Sequence, residues 1–224
     1  MNRARKRADY SQHTLLSPLA HARGSMIMPP KTQSLADFKI PKGSNSSREK
    51  RNARMANMPQ ARVIIGVDPG LHRTGFGVVG IETTPRYLAA GVLKARADAE
   101  LPIRLKTLFD GMCEVIETHH PDVVIVEDLF STYAHPRSAL LMAQARGVLL
   151  LAAAQSGIPV HSFLPNEIKQ VIAGDGHASK AAIQNAIQMR LHLKELPEPS
   201  DLADALAIAL CFALRQNVNR KIQL

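Results

Sequence analysis

Four consecutive branched aliphatic residues, Val123-Val124-Ile125-Val126, lie between two stretches of helical periodicity, and no other feature constrains the fold as much. A strand this apolar, without alternation, is of the kind buried on both faces. It calls for a central place in a sheet and a layer of helices on either side. Upstream, Leu105, Leu108, Phe109, Met112, Val115 and Ile116 recur at helical spacing within Leu101 to His119, and Pro121 ends the pattern. Downstream come an Ala- and Leu-rich helix from Arg137 to Gln155 and a strand from Ile158 to Phe163. Two more helices follow, Ser179 to Leu193 and Asp201 to Arg215, parted by a loop containing Pro197 and Pro199. Three strands precede all of these: Arg62 to Val67, Thr74 to Gly80 and Tyr87 to Leu93. They are close enough in sequence to meander antiparallel, whereas the later strands, separated by helices, need parallel crossovers. The expected class is therefore α/β, a mixed five-stranded sheet with helices on both faces.

Charge divides the chain in two. The net charge is +9, and residues 1–60 alone carry twelve Lys or Arg against three Asp or Glu, so residues 61–224 are balanced. The first 60 residues are rich in Ser, Pro, Asn, Arg and Lys and lack a sustained period. They read as a disordered basic extension, with an Arg-rich transit peptide and a true translation start at Met55 or Met58 as alternatives. The high isoelectric point therefore says little about what the core binds. Cys113 and Cys211 both sit in apolar helical patterns and read as buried reduced thiols. The runs Gly147 to Ala154 and Ala205 to Leu214 fall short of the ~20 residues of a membrane span and read as buried helix. With no secretory h-region either, the expectation is a cytoplasmic protein without a membrane partner.

Chemistry gathers on acids. Asp68 closes the first strand and Glu127 the fourth, and open α/β sheets place sites at the carboxyl ends of strands. Asp68 is followed by Pro69-Gly70, so a turn-forming role competes with a functional one. Glu127 follows a dry strand, where an uncompensated charge is costly. Asp201 and Asp204 are three apart on one face of a helix that is otherwise almost all apolar. Asp201 alone has a capping alternative. Four converging carboxylates would raise one another's pKa, a conflict that hard divalent cations relieve. Two such ions can activate a water and stabilise the leaving oxygen of a phosphodiester.

Several segments, in order, resemble the RuvC family of Holliday-junction resolvases. They are Val63-Ile64-Ile65-Gly66-Val67-Asp68-Pro69-Gly70 with Thr74-Gly75-Phe76-Gly77, then Val126-Glu127-Asp128-Leu129-Phe130, then Gln144-Ala145-Arg146-Gly147. Gly174-Asp175-Gly176-His177-Ala178-Ser179-Lys180 and Asp201-Leu202-Ala203-Asp204-Ala205-Leu206-Ala207 complete the series. The likeness runs from about Arg62 to about Arg215 and leaves residues 1–60 outside. It implies a ribonuclease H-like fold for a nuclease domain over residues 61–224, a homodimer, and paired symmetric cuts in a four-way DNA junction during recombination and repair. It implies two magnesium ions per site, replaceable by manganese, held by Asp68, Glu127, Asp201 and Asp204, and products with 5′-phosphates. At the position of Asp201 some members carry histidine. Lys169 and Lys180 fall on lysines that contact the DNA backbone, and Phe130 on an aromatic that stacks on an unpaired base. The RuvA–RuvB branch-migration complex is the implied partner. The run Ser131-Thr132-Tyr133-Ala134-His135-Pro136 departs from the usual Met-Ala-Lys-Asn-type segment.

Read from the residues alone, Phe130 is equally a core aromatic, and Lys169 and Lys180 are ordinary surface charges or phosphate contacts. Gly174 and Gly176 would offer backbone N–H groups to a phosphate or form a plain loop before an N-cap serine. Arg146 would lie at a dimer edge or extend to solvent. Other classes remain in view. One is a nuclease of the same fold acting on structured RNA, and another is a module that binds junctions without cutting. A third, an actin-like ATPase suggested by Gly66 to Gly70, would need a repeated core and a second phosphate loop, and the chain shows no repeat.

Overall fold

The structure, a computed structural model, describes residues 61–129 and 136–222. The expected basic extension over residues 1–60 lies outside the described residues. Strands β1 (Val63–Asp68), β2 (Arg73–Ile81) and β3 (Pro85–Lys94) form the antiparallel meander. Helix α1 (Leu101–His119) leads to β4 (Val123–Glu127), α2 (Pro136–Gln155) to β5 (Val160–Phe163), and the chain ends in α3 (Pro165–Ala173), α4 (Lys180–Leu191) and α5 (Ser200–Ile222). The sheet order is β3-β2-β1-β4-β5, with β1, β4 and β5 parallel. The expected mixed five-stranded α/β architecture is present.

Period-two alternation sorts the strands into two cores. Ile64, Val79, Val123 and Ile125 face α3, α4 and α5, while Ile65, Val67, Val78, Val124 and Val126 face α1 and α2. The central strand β4 is buried on both faces, as its unbroken apolar run requires. Helix α5 is the most deeply buried helix segment, with Ala205 to Ala213 all inside.

Its closeness to the sheet has a specific cause. A side chain on Gly66 would collide with the backbone of Ala205 and Ala209, and one on Gly77 with the backbone of Leu206. Gly75 stands equally close to the carbonyl of Asp201. The strands β1 and β2 thus present bare backbone to α5, which rests directly on it.

Three expectations change. Helix α3 was not anticipated, although Pro165 at its start and Glu167, whose carboxylate accepts from the Leu164 N–H at 3.2 Å, are start signals. The run Gly147 to Ala154 is only half-buried: Leu149, Ala152 and Ala153 enter the core, but Gly147, Leu151 and Ala154 are exposed. By length and composition alone, Ser138–Gln155 is long and apolar enough to cross a membrane, while its inner face packs on the sheet. Asp201 lies within the first turn of α5, which opens with the Leu202 N–H donating to the carbonyl of Pro199, so it does not stand at the N-cap position.

Candidate functional site

Strands β1 and β4 are parallel neighbours with Val67 level with Val126, so Asp68 and Glu127 come next on each and leave the sheet at one edge. Alternation carries both to the face covered by α5, since they follow Gly66 and Ile125 by two. Immediately beyond Asp68 the chain is held in a tight turn. The buried Thr74 hydroxyl donates to the Gly70 carbonyl at 2.8 Å and accepts from the Gly70 N–H at 3.2 Å. Asp201 and Asp204 descend from the first turns of α5 onto the same edge, brought there by the helix's rest on Gly66, Gly75 and Gly77.

Electrostatics show that the acids share one environment. Burial, then the charges of Glu127, Asp204 and Asp201, pushes Asp68 up to about 8, against the pull of Lys180. Burial, then Asp204, pushes Glu127 up to about 7, opposed by Lys169 and Lys180. Asp204 is also raised, by burial first, with Lys180 acting against it. Lys180 pairs with Asp204 at 3.6 Å, and Arg73 Nε with Asp201 Oδ2 at 2.6 Å. All four predicted acids and both predicted lysines therefore belong to one cluster. Phe130 lies outside the described residues, as does the divergent segment that follows it up to His135.

Among the described residues, no three His, Cys, Asp or Glu side chains are closed into a ready-made metal cage. Coulombic coupling reaches further than coordination does, so the acids can act on one another without touching one centre. The donor set nevertheless fits a hard divalent cation: oxygen ligands only, partly buried, and with a protonation conflict that added positive charge relieves.

Two arginines went unnoticed as site residues. Arg73 is the partner of Asp201. Arg146, expected at a dimer edge or in solvent, is half-buried and points inward. Its Nε donates to the Glu127 carbonyl at 3.1 Å and its Nη2 to Ser162 Oγ at 2.6 Å, with Asp128 at 3.3 Å. The glycines before α4 have structural roles. Gly174 is the left-handed C-cap of α3, the Gly176 N–H donates to Gln170 Oε1, and Ser179 is the N-cap of α4.

Comparison with known proteins agrees with this geometry. The family model described as crossover junction endodeoxyribonuclease RuvC matches residues 64–212. A protein of that description from Rhodopirellula baltica is 47% identical over 152 residues, covering 67% of this chain and 85% of its own. One from Azoarcus sp. is 46% identical over 151 residues, covering 67% and 81%. The Thermus thermophilus RuvC structure in complex with a Holliday junction substrate superposes with a TM-score of 0.67 at 36% identity, covering 70% of this chain and 96% of that one. The yeast mitochondrial Holliday junction resolvase, at 14% identity and a TM-score of 0.57, shares the ribonuclease H-like fold. With the motif order, the sheet and the match over residues 64–212 in agreement, this protein belongs to the crossover junction endodeoxyribonuclease RuvC family.

Proposed function

We propose that this chain resolves four-way DNA junctions by hydrolysing one phosphodiester on each of two strands of like polarity, using Asp68, Glu127, Asp201 and Asp204 to hold the divalent metal on which the nuclease depends. The observation that carries the reading is the shared acidic edge, where burial and three neighbouring acids push Asp68 up to about 8. Isolated acids would not be built this way, because the arrangement opposes their ionisation until positive charge arrives.

Two magnesium ions are the proposed occupants, manganese an acceptable substitute; when bound, they supply Lewis acidity, easing deprotonation of the attacking water and offsetting charge on the leaving oxygen. Asp68, which couples to all three other acids, would be a ligand common to the bound metal. Glu127 and Asp204 would be ligands as well, and Asp201, now held by Arg73, would serve as a further ligand or as a base. Lys169 and Lys180, both acting on the cluster, would engage the phosphate backbone beside the scissile bond. Cleavage by water would leave a 5′-phosphate and a 3′-hydroxyl ready for ligation.

A homodimer would present two such sites to the two strands. The exposed side of α2 supports it: Leu140 is 66% and Leu151 56% exposed, with Ala143, Gly147 and Ala154 exposed between and beyond them at helical spacing. Exchange with the RuvA–RuvB branch-migration complex belongs to the same proposal, and a pull-down of either protein on junction DNA tests it. The central experiment is incubation with a synthetic mobile four-way junction and magnesium. Paired symmetric nicks are expected, absent in Asp68→Asn. No nicking, equal nicking by Asp68→Asn, or preference for structured RNA would overturn the reading.

A further inference from the structure

Arg146 stands on the other side of the sheet from the acids. It rises from α2, the helix packed on the face lined by Val124 and Val126, and reaches the ends of two strands at once. Its Nε meets the main-chain carbonyl of Glu127, and its Nη2 meets Ser162 Oγ on β5 and the carboxylate of Asp128. The side chain is only 19% exposed. Next to it the Asp128 N–H donates to the Phe163 carbonyl at 2.8 Å, so the two strand ends are also tied to each other.

A guanidinium with several donors in a fixed plane can hold a carbonyl, a hydroxyl and a carboxylate together, which a lysine cannot do. The Glu127 carbonyl it holds shares an α-carbon with the carboxylate on the opposite face. The N–H side of the Glu127–Asp128 peptide is bonded to the Phe163 carbonyl, and Arg146 supplies the hold on its carbonyl side. Rotation of that peptide would swing the Glu127 carboxylate relative to Asp68 and Asp204.

We propose that Arg146 is a positioning residue that fixes the backbone at Glu127, and so sets the aim of its carboxylate toward the divalent cation without touching cation or DNA. The proposal rests on the reading of Glu127 as a metal-binding carboxylate. Residues that orient metal ligands from behind typically contribute about 10–100-fold in metal affinity or activity.

The test measures Mn2+ binding calorimetrically on the full-length protein without DNA, alongside single-turnover cleavage. Arg146→Ala is expected to weaken Mn2+ binding roughly tenfold or more, to slow cleavage in parallel, and to bind the junction normally in the absence of divalent cation. Arg146→Lys retains the charge but not the three-way grip, so it is expected to recover part of the loss and still bind Mn2+ about threefold more weakly than the parent. In a Glu127→Gln background, Arg146→Ala is expected to add nothing further to the loss of Mn2+ affinity, a non-additivity that general loosening of the fold would not produce. Parental Mn2+ affinity in Arg146→Ala, or additive losses in the double variant, would overturn the proposal while leaving Glu127 as a ligand. Parental affinity in Glu127→Gln would instead overturn the underlying reading. Should Arg146→Ala fail to fold, parental affinity in Arg146→Lys would suffice to reject the positioning role.

Discussion

At the residue scale the acids titrate against their surroundings. Asp68 rises from 3.8 to about 8 and Glu127 from 4.5 to about 7, both chiefly through burial. Between those limits the metal-free folded protein holds protons that the unfolded chain has released, so protons favour the folded state. The associated stability is full below about pH 4 and is lost as pH rises through 7 and 8. Asp68→Asn removes the part due to Asp68. In EDTA, its melting temperature is expected to gain on that of the parent from pH 5 to pH 9, ending higher by roughly 5 °C. Added magnesium should reverse the order by stabilising only the parent. Scanning calorimetry across pH would check both, and a constant difference would contradict the burial-driven shift. The same substitution is expected to slow junction cleavage by roughly 1,000-fold or more, measured in single-turnover nicking. Arg73 occupies Asp201 at 2.6 Å and so competes with any cation there. Arg73→Ala is expected to lower the magnesium concentration needed for half-maximal binding by about two- to threefold, as for an exposed pair of modest strength; calorimetric titration reads it directly.

At the scale of elements, the packing of α5 decides whether the site exists. Gly66→Ala would drive a methyl group into the backbone of Ala205 and Ala209. Overpacking of this kind costs about 1–3 kcal/mol, and here the helix that must yield carries Asp201 and Asp204. The expected outcome is a lower midpoint in urea unfolding and a cleavage loss larger than the stability loss explains. Alternation, helical spacing and strand-end position made the sheet, most of the helices and all four acids legible in the sequence. Helix α3 escaped because Pro165–Ala173 is short, with Ile168, Val171 and Ile172 as its large apolar residues, and only Leu164 separates it from β5. Arg73 and Arg146 escaped for another reason. Their partners are 128 and between 16 and 19 residues away, and only the register of β4 with β5 and the seat of α5 bring them together. An arginine in an Ala-rich helix carries no mark of which way it faces.

For the whole molecule, the unfilled side of α2 is the feature that asks for a partner. Leu151→Glu places a charge on the exposed apolar stripe without disturbing Leu149, Ala152 or Ala153 inside. Light scattering is expected to find the parent a dimer, as proposed, and this variant a monomer, and junction assays to find the paired nicks lost in the variant. A monomeric parent would overturn the proposed dimer, and a variant that stays dimeric would exclude this stripe as its contact. The seating of α5 on glycine has one more consequence, for temperature. Where helix and strand meet main chain to main chain, no side-chain rotamer intervenes, so the spacing between Asp68 and the acids above it is set by non-bonded contact between backbones. Loosening of that contact would carry Asp201 and Asp204 away from Asp68 together, since both ride on α5. Cleavage by this protein should therefore climb smoothly with temperature and then stop abruptly, at the point where α5 leaves the sheet.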